Sequence, residues 1–190
     1  MRRACAIAAA TAAVVTLTAA GTSSSTGLDS QAQTDHSPLE VHLHEIGTRG
    51  AEDSRAEFVE IANRGSRALP LGGDRVLVGL HSHTVELARI PDYVVLQPNA
   101  VYLLASAWFV GCPVPPDQLF AMAEDIPEVF TMTLVAPRGE IVDVVTTAPN
   151  LLPGASPAPR PHDGLCLGRL GFTGNNAKDW AVKRCTPGVY

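Results

Sequence analysis

The sequence has 190 residues, enough for one domain of ordinary size with tails. Charged residues make up only 17% of it and the formal net charge is −5, so non-specific binding of polyanions to a basic face is not expected. Its 15 prolines and 16 glycines favour many short strands joined by turns over long helices.

The first twenty residues have the pattern of a secretory signal peptide. Arg2 and Arg3 form a cationic start, residues 4–20 are an almost uncharged apolar run, and its last residues are small enough for cleavage. A membrane anchor is the alternative, but this run only matches the shortest spanning helices and is rich in alanine and threonine. We therefore expect a secreted protein that loses residues 1–20.

Residues 21–38 are nearly all small or polar and cannot bury enough apolar surface to fold, which predicts a flexible linker. The folded domain is expected to span residues 39–190. No stretch within it is apolar for long enough to cross a bilayer.

Short apolar runs separated by turn residues predict seven to nine strands after the linker. The predicted strands are 41–46, 56–62, 76–80, 84–90, 100–105, 130–135, 141–147, 165–170 and 180–183. The irregular loop 112–128 has room for one short helix, over residues 117–124. Such a series predicts an all-β, immunoglobulin-like sandwich of two antiparallel sheets.

Three cysteines remain after the leader, and export permits a disulfide between two of them. A bridge between Cys166 and Cys185 would close a loop of about 20 residues and contribute about 3 kcal/mol. Pairing of Cys112 with either of the others is the alternative, and one thiol is left over in each case. No histidine or lysine lies near Cys112 in sequence, so a catalytic cysteine is not predicted.

Several segments, taken in order, are similar to one known family. They are Leu-His-Glu-Ile at 43–46, Glu-Phe-Val-Glu-Ile-Ala-Asn at 57–63, Leu-Gly-Gly at 71–73, Gly-Glu-Ile-Val-Asp at 139–143, and an ending made of 167–169, 175–180 and 186–188. Together they resemble the lamin tail domain, an immunoglobulin-like β-sandwich of nuclear lamins and many exported bacterial proteins. The resemblance covers about residues 39–190. The long segment 111–130 and the cysteines at 166 and 185 depart from the family pattern.

The resemblance implies a recognition or structural module rather than an enzyme. In lamins the domain recognises proteins and, reportedly, chromatin, and in bacteria it often accompanies exported nucleases or phosphatases. Because a fold does not by itself define an activity, the function must come from a site.

Two histidine pairs are the first candidates for chemistry, His42 with His44 and His81 with His83. Together they could form a zinc site. We favour the alternative. In it, His42 and His44 occupy the alternating, solvent-facing positions of a half-buried strand, and His81 and His83 are turn residues. No metal site and no cofactor are predicted.

Glu45, Glu57 and Glu60 could act as general acid or base groups. Catalysis would need one of them in an apolar pocket that raises its pKa. They coincide with acidic positions of the family pattern, and glutamates at sandwich edges are commonly exposed, so no catalytic residue is predicted. No Ser-His-Asp signature, glycine-rich phosphate loop or HExxH motif is present either.

An arginine cluster in successive loops suggests nucleic-acid binding as an alternative function. Its members are Arg49, Arg55, Arg64, Arg67 and Arg75. Neighbouring acidic residues dilute this charge, so we favour a monomeric exported module that binds an unknown protein or cell-envelope component. Its binding residues are expected in the exposed loops 48–54 and 148–164.

Overall fold

The computed structural model describes residues 40–48, 56–80, 82–109, 114–121, 125–149, 156–162 and 164–190. These residues belong to one compact unit, Thr34–Tyr190. The predicted signal peptide, the predicted linker and Cys112 lie outside the described residues.

Twelve strands and one short helix make up the regular structure of these ranges. The strands are β1 (Val41–Gly47), β2 (Phe58–Asn63), β3 (Leu69–Pro70), β4 (Arg75–Leu80), β5 (His83–Arg89), β6 (Val95–Leu96), β7 (Val101–Ser106), β8 (Gln118–Phe120), β9 (Thr131–Val135), β10 (Ile141–Thr146), β11 (Leu165–Arg169) and β12 (Trp180–Arg184), and the helix is α1 (Asn176–Asp179). Nine of these strands have five residues or more and correspond to the predicted ones. The other three have only two or three residues.

The strands form two main sheets. One has six strands in the order β12-β11-β1-β2-β7-β8, and the other has four in the order β10-β9-β4-β5. Neighbours in both sheets are antiparallel, except that β8 lies parallel to β7, and β3 pairs with β6 separately. Apolar side chains from both sheets form one buried core, which includes Val41, Leu43, Ile61, Leu104, Val76, Val78, Met132 and Leu134. The predicted all-β sandwich is therefore confirmed.

Strand β1 departs from simple alternation. The pairing of β1 with β2 shifts register between Leu43 and Glu45, which marks a β-bulge. Because of this extra residue, Leu43 and Ile46 both reach the core although they are three positions apart. The predicted exposure of the alternating histidines is wrong for His42, which is 2% exposed, and His44 is only partly exposed.

The helix expected within loop 112–128 is absent from the described part of that loop. Residues 118–120 form strand β8 instead. Asp117, expected near a helix start, pairs with Leu103 of β7: its backbone N–H donates to the Leu103 carbonyl at 2.9 Å, and its carboxylate accepts from the Leu103 N–H at 2.8 Å. These two hydrogen bonds place the edge strand β8 beside β7.

Helix α1 begins after Asn175, whose side chain accepts a hydrogen bond from the Ala177 N–H.

The predicted turn after Leu71 is present, and it needs both of its glycines. The Asp74 N–H donates to the Leu71 carbonyl at 3.0 Å. Gly73 has a φ of +83°, which side chains disfavour. A Cβ at Gly72 would collide with the backbone of Asp92. These two positions explain why the pattern Leu-Gly-Gly is required here.

Cys166 and Cys185 form a disulfide, as the sequence predicted, with 5.1 Å between their Cα atoms. The bond joins the start of β11 to the residue after β12, and the Cys166 side chain is fully buried. It therefore holds the edge hairpin of the six-stranded sheet closed at the end from which residues 186–190 continue.

We expect the double variant Cys166→Ala and Cys185→Ala to lose about 3 kcal/mol of unfolding free energy. The reason is that the unfolded chain regains the freedom of a loop of about 20 residues. Denaturant titration of the oxidised protein and the variant gives the difference. Equal stability of the two proteins would contradict it, and Cys112→Ala is the matched control that should leave the midpoint unchanged.

Candidate functional site

Two glutamates lie side by side on the face of the six-stranded sheet that is turned away from the core. Glu45 of β1 is directly opposite Glu60 of β2 in the strand ladder. Their neighbours Val59 and Ile61 point into the core, so Glu60 points to the other face. Both glutamates are 0% exposed, so the expectation that they face solvent is wrong.

Residues 186–190 cover these carboxylates. Glu45 accepts hydrogen bonds from the Thr186 N–H at 2.6 Å and the Thr186 hydroxyl at 2.7 Å, and it pairs with the Lys183 ammonium at 2.8 Å. Glu60 accepts from the Gly188 N–H at 2.5 Å. The two glutamates thus fix the last segment of the chain on the outer face of the sheet.

Glu57 lies directly before β2 and is also buried. It is 3% exposed, and its carboxylate accepts from the Ile126 N–H. Burial raises the pKa of Glu57 and that of Glu60 to about 8, although the backbone N–H groups of Ile126 and Gly188 lower it in part. The raised pKa that acid–base catalysis would need is therefore present. The same carboxylates, however, bind the protein's own backbone.

The loop between β11 and α1 is shaped by one carboxylate. Asp179 accepts from the N–H groups of Thr173, Gly174 and Asn175 at 2.7, 2.9 and 3.2 Å. Burial alone would raise the pKa of Asp179, but these hydrogen bonds outweigh it and hold the pKa below its usual value. The tight loop places the ring of Phe172 beside β1.

A buried ion pair lies beneath that loop. Arg169, at the end of β11, pairs with Asp143 of β10, and their side chains are 6% and 10% exposed. Arg169 also donates to the Leu43 carbonyl at 2.8 Å, and Asp143 accepts from the Leu43 N–H at 2.9 Å. Because β10 belongs to the other sheet, this pair joins the two layers at β1.

These elements surround an open cleft of about 230 Å³. Its walls come from β1, the turn after β2, the end of β11 with the loop that follows, and the last residue. The lining side chains include His42, His44, Arg64, Arg169, Phe172 and Tyr190. Leu170, also in the lining, is 68% exposed, and Tyr190 is 49% exposed. The cleft is therefore aromatic and cationic inside and apolar at its rim.

Ring and guanidinium contacts define the interior of the cleft. Arg64 and Arg169 lie 4.5 and 4.6 Å from the centre of the Phe172 ring, and His42 meets that ring edge-on at 4.7 Å. His44 stacks on Tyr190 at 5.1 Å. Cation–π contacts of this kind hold the arginine groups in place at the ring.

Both histidines of the cleft are neutral at pH 7. Burial, followed by the nearby charges of Arg169 and others, lowers the pKa of His42 to about 3. Burial also lowers the pKa of His44, and the Lys183 charge adds to this. The Nδ1 atom of His42 is buried and has no hydrogen-bond partner. The cleft thus contains an unsatisfied polar atom next to two guanidinium groups.

The predicted histidine pairs are not brought together. His42 and His44 lie on β1 of the six-stranded sheet, His83 begins β5 of the four-stranded sheet, and His81 lies outside the described residues. Within the described ranges, the side chains of Glu45, Cys166 and Cys185 carry possible metal-ligand atoms that lie close together. Its two sulfur atoms are joined in the disulfide, so they are not thiolate ligands.

The predicted arginine cluster is dispersed. Arg64 reaches the cleft, Arg67 pairs with Glu40 at 3.4 Å, and Arg75 pairs with Glu86 at 3.8 Å. Arg49 and Arg55 lie outside the described residues, as do residues 49–54 and much of loop 148–164, where binding was expected. Of the described members of this arginine cluster, only Arg64 lines the cleft.

Sequence reasoning missed Phe172 and Tyr190 as site residues and noted Arg169 only as part of the ending pattern. One signal was available for Phe172, because it is a single aromatic residue within a polar turn. No local signal exists for Tyr190, since its place depends on glutamates more than a hundred residues away.

No model of a known protein family matches the chain, and no curated protein matches it in sequence.

Proposed function

We propose that this chain is a non-enzymatic, exported interaction module of the lamin tail type, with an immunoglobulin-like sandwich, which binds a protein or cell-envelope partner. The observation that carries the proposal is the aromatic and cationic cleft, set on rigid strands and open to solvent. The partner contacts its interior through Arg64 and Phe172 and its rim through Tyr190.

Export is supported by the leader pattern of residues 1–20 and by the disulfide, which persists in oxidising compartments. No helix among the described residues is long and apolar enough to span a membrane. The lamin tail type is supported by the ordered motifs. Two of them, the strand glutamates and the Thr-Pro-Gly ending, are in direct contact.

A binding role without chemistry is supported by the burial and the hydrogen bonds of the acidic side chains. Glu57 and Glu60 have raised pKa values, but each is buried and accepts a backbone N–H. A general acid or base must instead reach a substrate proton within hydrogen-bond distance. The cleft itself is lined by arginine, histidine and aromatic side chains, which suit recognition.

The test is a quantitative pull-down from culture supernatant and cell-envelope fractions with two tyrosine variants. Tyr190→Ala removes the rim of the cleft, and Tyr93→Ala removes an equally bulky, exposed tyrosine that does not line it. We expect Tyr190→Ala to abolish partner recovery and Tyr93→Ala to leave it unchanged. Equal recovery by both variants, or no partner with any bait, would overturn the proposal.

The salt dependence of binding distinguishes the nucleic-acid alternative from the proposed function. Binding of duplex DNA through phosphate contacts weakens steeply as salt rises. Saturable, strongly salt-dependent DNA binding that Arg64→Gln weakens would replace the proposed partner with a nucleic acid.

A further inference from the structure

The cleft has a local charge opposite to that of the whole protein. The formal net charge is −5, yet Arg64 and Arg169 converge on the single ring of Phe172. Asp143 balances Arg169 in a buried pair. Across the described ranges, no carboxylate lies within ion-pairing distance of Arg64, and Glu40, the residue before β1, pairs with Arg67. One guanidinium at the mouth of the cleft is thus available to an anion.

A second observation also points to a ligand. The His42 ring lines the cleft and is 98% buried, but its Nδ1 atom has no partner. A buried polar atom without a hydrogen bond is unfavourable and is commonly satisfied by a bound group. A neutral imidazole carries a single N–H, and in His42 the Glu40 backbone takes up that proton in a hydrogen bond, so the free ring nitrogen can only accept a hydrogen bond from an N–H group of a ligand.

The size and walls of the cleft select the kind of anion. A carboxylate is planar and matches the fork of an arginine, which favours it beside Arg64. About 230 Å³ accommodates one acidic side chain but not a folded surface. The rim residues Leu170 and Tyr190 are 68% and 49% exposed. A chain that carries the carboxylate would find apolar contacts there.

We propose that the cleft binds a carboxylate side chain of an acidic peptide segment, which accepts hydrogen bonds from Arg64 while the segment's backbone lies along the apolar rim. Arg169, whose donors already bind Asp143, Leu43 and Gly171, supplies charge and fixes Phe172. This inference rests on the proposed function, because it names what the same cleft recognises.

The test titrates the full oxidised protein with three probes. The first is a peptide of alternating glutamate and glycine with acetylated and amidated ends, the second is the same peptide with glutamine, and the third is inorganic phosphate. We expect saturable binding of the glutamate peptide and none of the glutamine peptide. Arg64→Gln should weaken this binding about tenfold to a hundredfold, as expected for loss of a hydrogen bond to a charged group.

Arg67→Gln is the matched control, since it removes an exposed arginine from the same turn without touching the cleft. It should change the affinity less than about twofold. A nuclear magnetic resonance titration adds a local readout, because a bound carboxylate should raise the pKa of His42 and His44. Equal loss in both arginine variants, unchanged histidine titration, or binding of phosphate alone would each overturn the inference.

The outcome separates this inference from the proposed function. If Tyr190→Ala abolishes partner recovery while the glutamate peptide does not bind, the interaction module stands and the carboxylate ligand is wrong. If the peptide binds at the cleft and no partner is recovered, the ligand class stands and the partner proposal fails.

Discussion

Arg169→Met is expected to lower the unfolding free energy by about 3–5 kcal/mol, the usual effect of removing one partner of a buried ion pair. The variant leaves the Asp143 carboxylate buried without its counter-charge. It also removes the hydrogen bond to the Leu43 carbonyl and the cation–π contacts with Trp180 and Phe172. Denaturant unfolding at neutral pH measures the change.

An exposed arginine provides the matched control. Arg89 pairs with Glu86 at 3.5 Å, and their side chains are 60% and 40% exposed. Because water screens such a pair, Arg89→Met should change stability by less than about 1 kcal/mol. If both variants lose the same free energy, the buried pair is not what joins the sheets.

A double variant distinguishes the contribution of the ion pair to stability from that of side-chain packing. Combining Arg169→Met with Asp143→Leu removes both charges, so the double variant should be more stable than the sum of the single losses indicates. The deficit of Arg169→Met alone should shrink at low pH, since Asp143, whose pKa burial already raises, then becomes protonated. Additive losses at every pH would contradict a coupled pair.

Stability should fall by about 3 kcal/mol between pH 6.5 and pH 8. Burial raises the pKa of Glu57 and Glu60 to about 8 and that of Asp74 to about 7, from ordinary values of 4.5 and 3.8. Below the ordinary values these groups are neutral in both states. As the pH rises, the unfolded chain releases their protons first, so each group destabilises the fold until its folded pKa is passed.

The histidines set the lower end of this window. The folded pKa of His42, about 3, lies below its ordinary value of 6.5, so its contribution to stability is present above pH 6.5 and is lost as the pH falls. His44 shifts in the same direction. At pH 6.5 an unfolded histidine ring is still half protonated, so loss of the proton from the two unfolded rings adds back about 1 kcal/mol by pH 8, less than the carboxyl groups remove.

Unfolding free energies from urea titrations at several pH values between 6.5 and 8 measure this slope. Glu60→Gln should make it shallower, because the amide does not titrate. Glu86→Gln, at an exposed glutamate, should leave it unchanged. A stability that is flat or rises with pH over this range would show that the three carboxyl groups are not buried as described.

Much of the fold could be predicted from local signals. The apolar runs and the turn residues located the nine longer strands, and the spacing of Cys166 and Cys185 pointed to the bond that forms. The Leu71 turn was found from its glycines, because the backbone there tolerates little else. The helix expected over 117–124 was wrong in its described part because Asp117 binds Leu103 of a neighbouring strand, a contact that no helical cap signal reveals.

Most of the candidate site could not be predicted from local sequence signals. Strand periodicity indicates two faces but does not show whether a second layer covers the outer one. For this reason Glu45, Glu60 and His42 were expected in solvent although they are buried. Of the predicted arginines, Arg64 reached the cleft and Arg67 did not, although both belong to one turn.

The sequence by itself determined that this chain is an all-β sandwich and favoured a disulfide between Cys166 and Cys185, because strands, turns and short loop closures depend on neighbours along the chain. Only the tertiary structure decided what the glutamates and the last residues do. The bond from Glu45 to Thr186 spans 141 positions and the pair of Arg169 with Asp143 joins two sheets. Such contacts depend on which strands pair and which faces become covered, and so does the cleft between His42, Arg64, Phe172 and Tyr190.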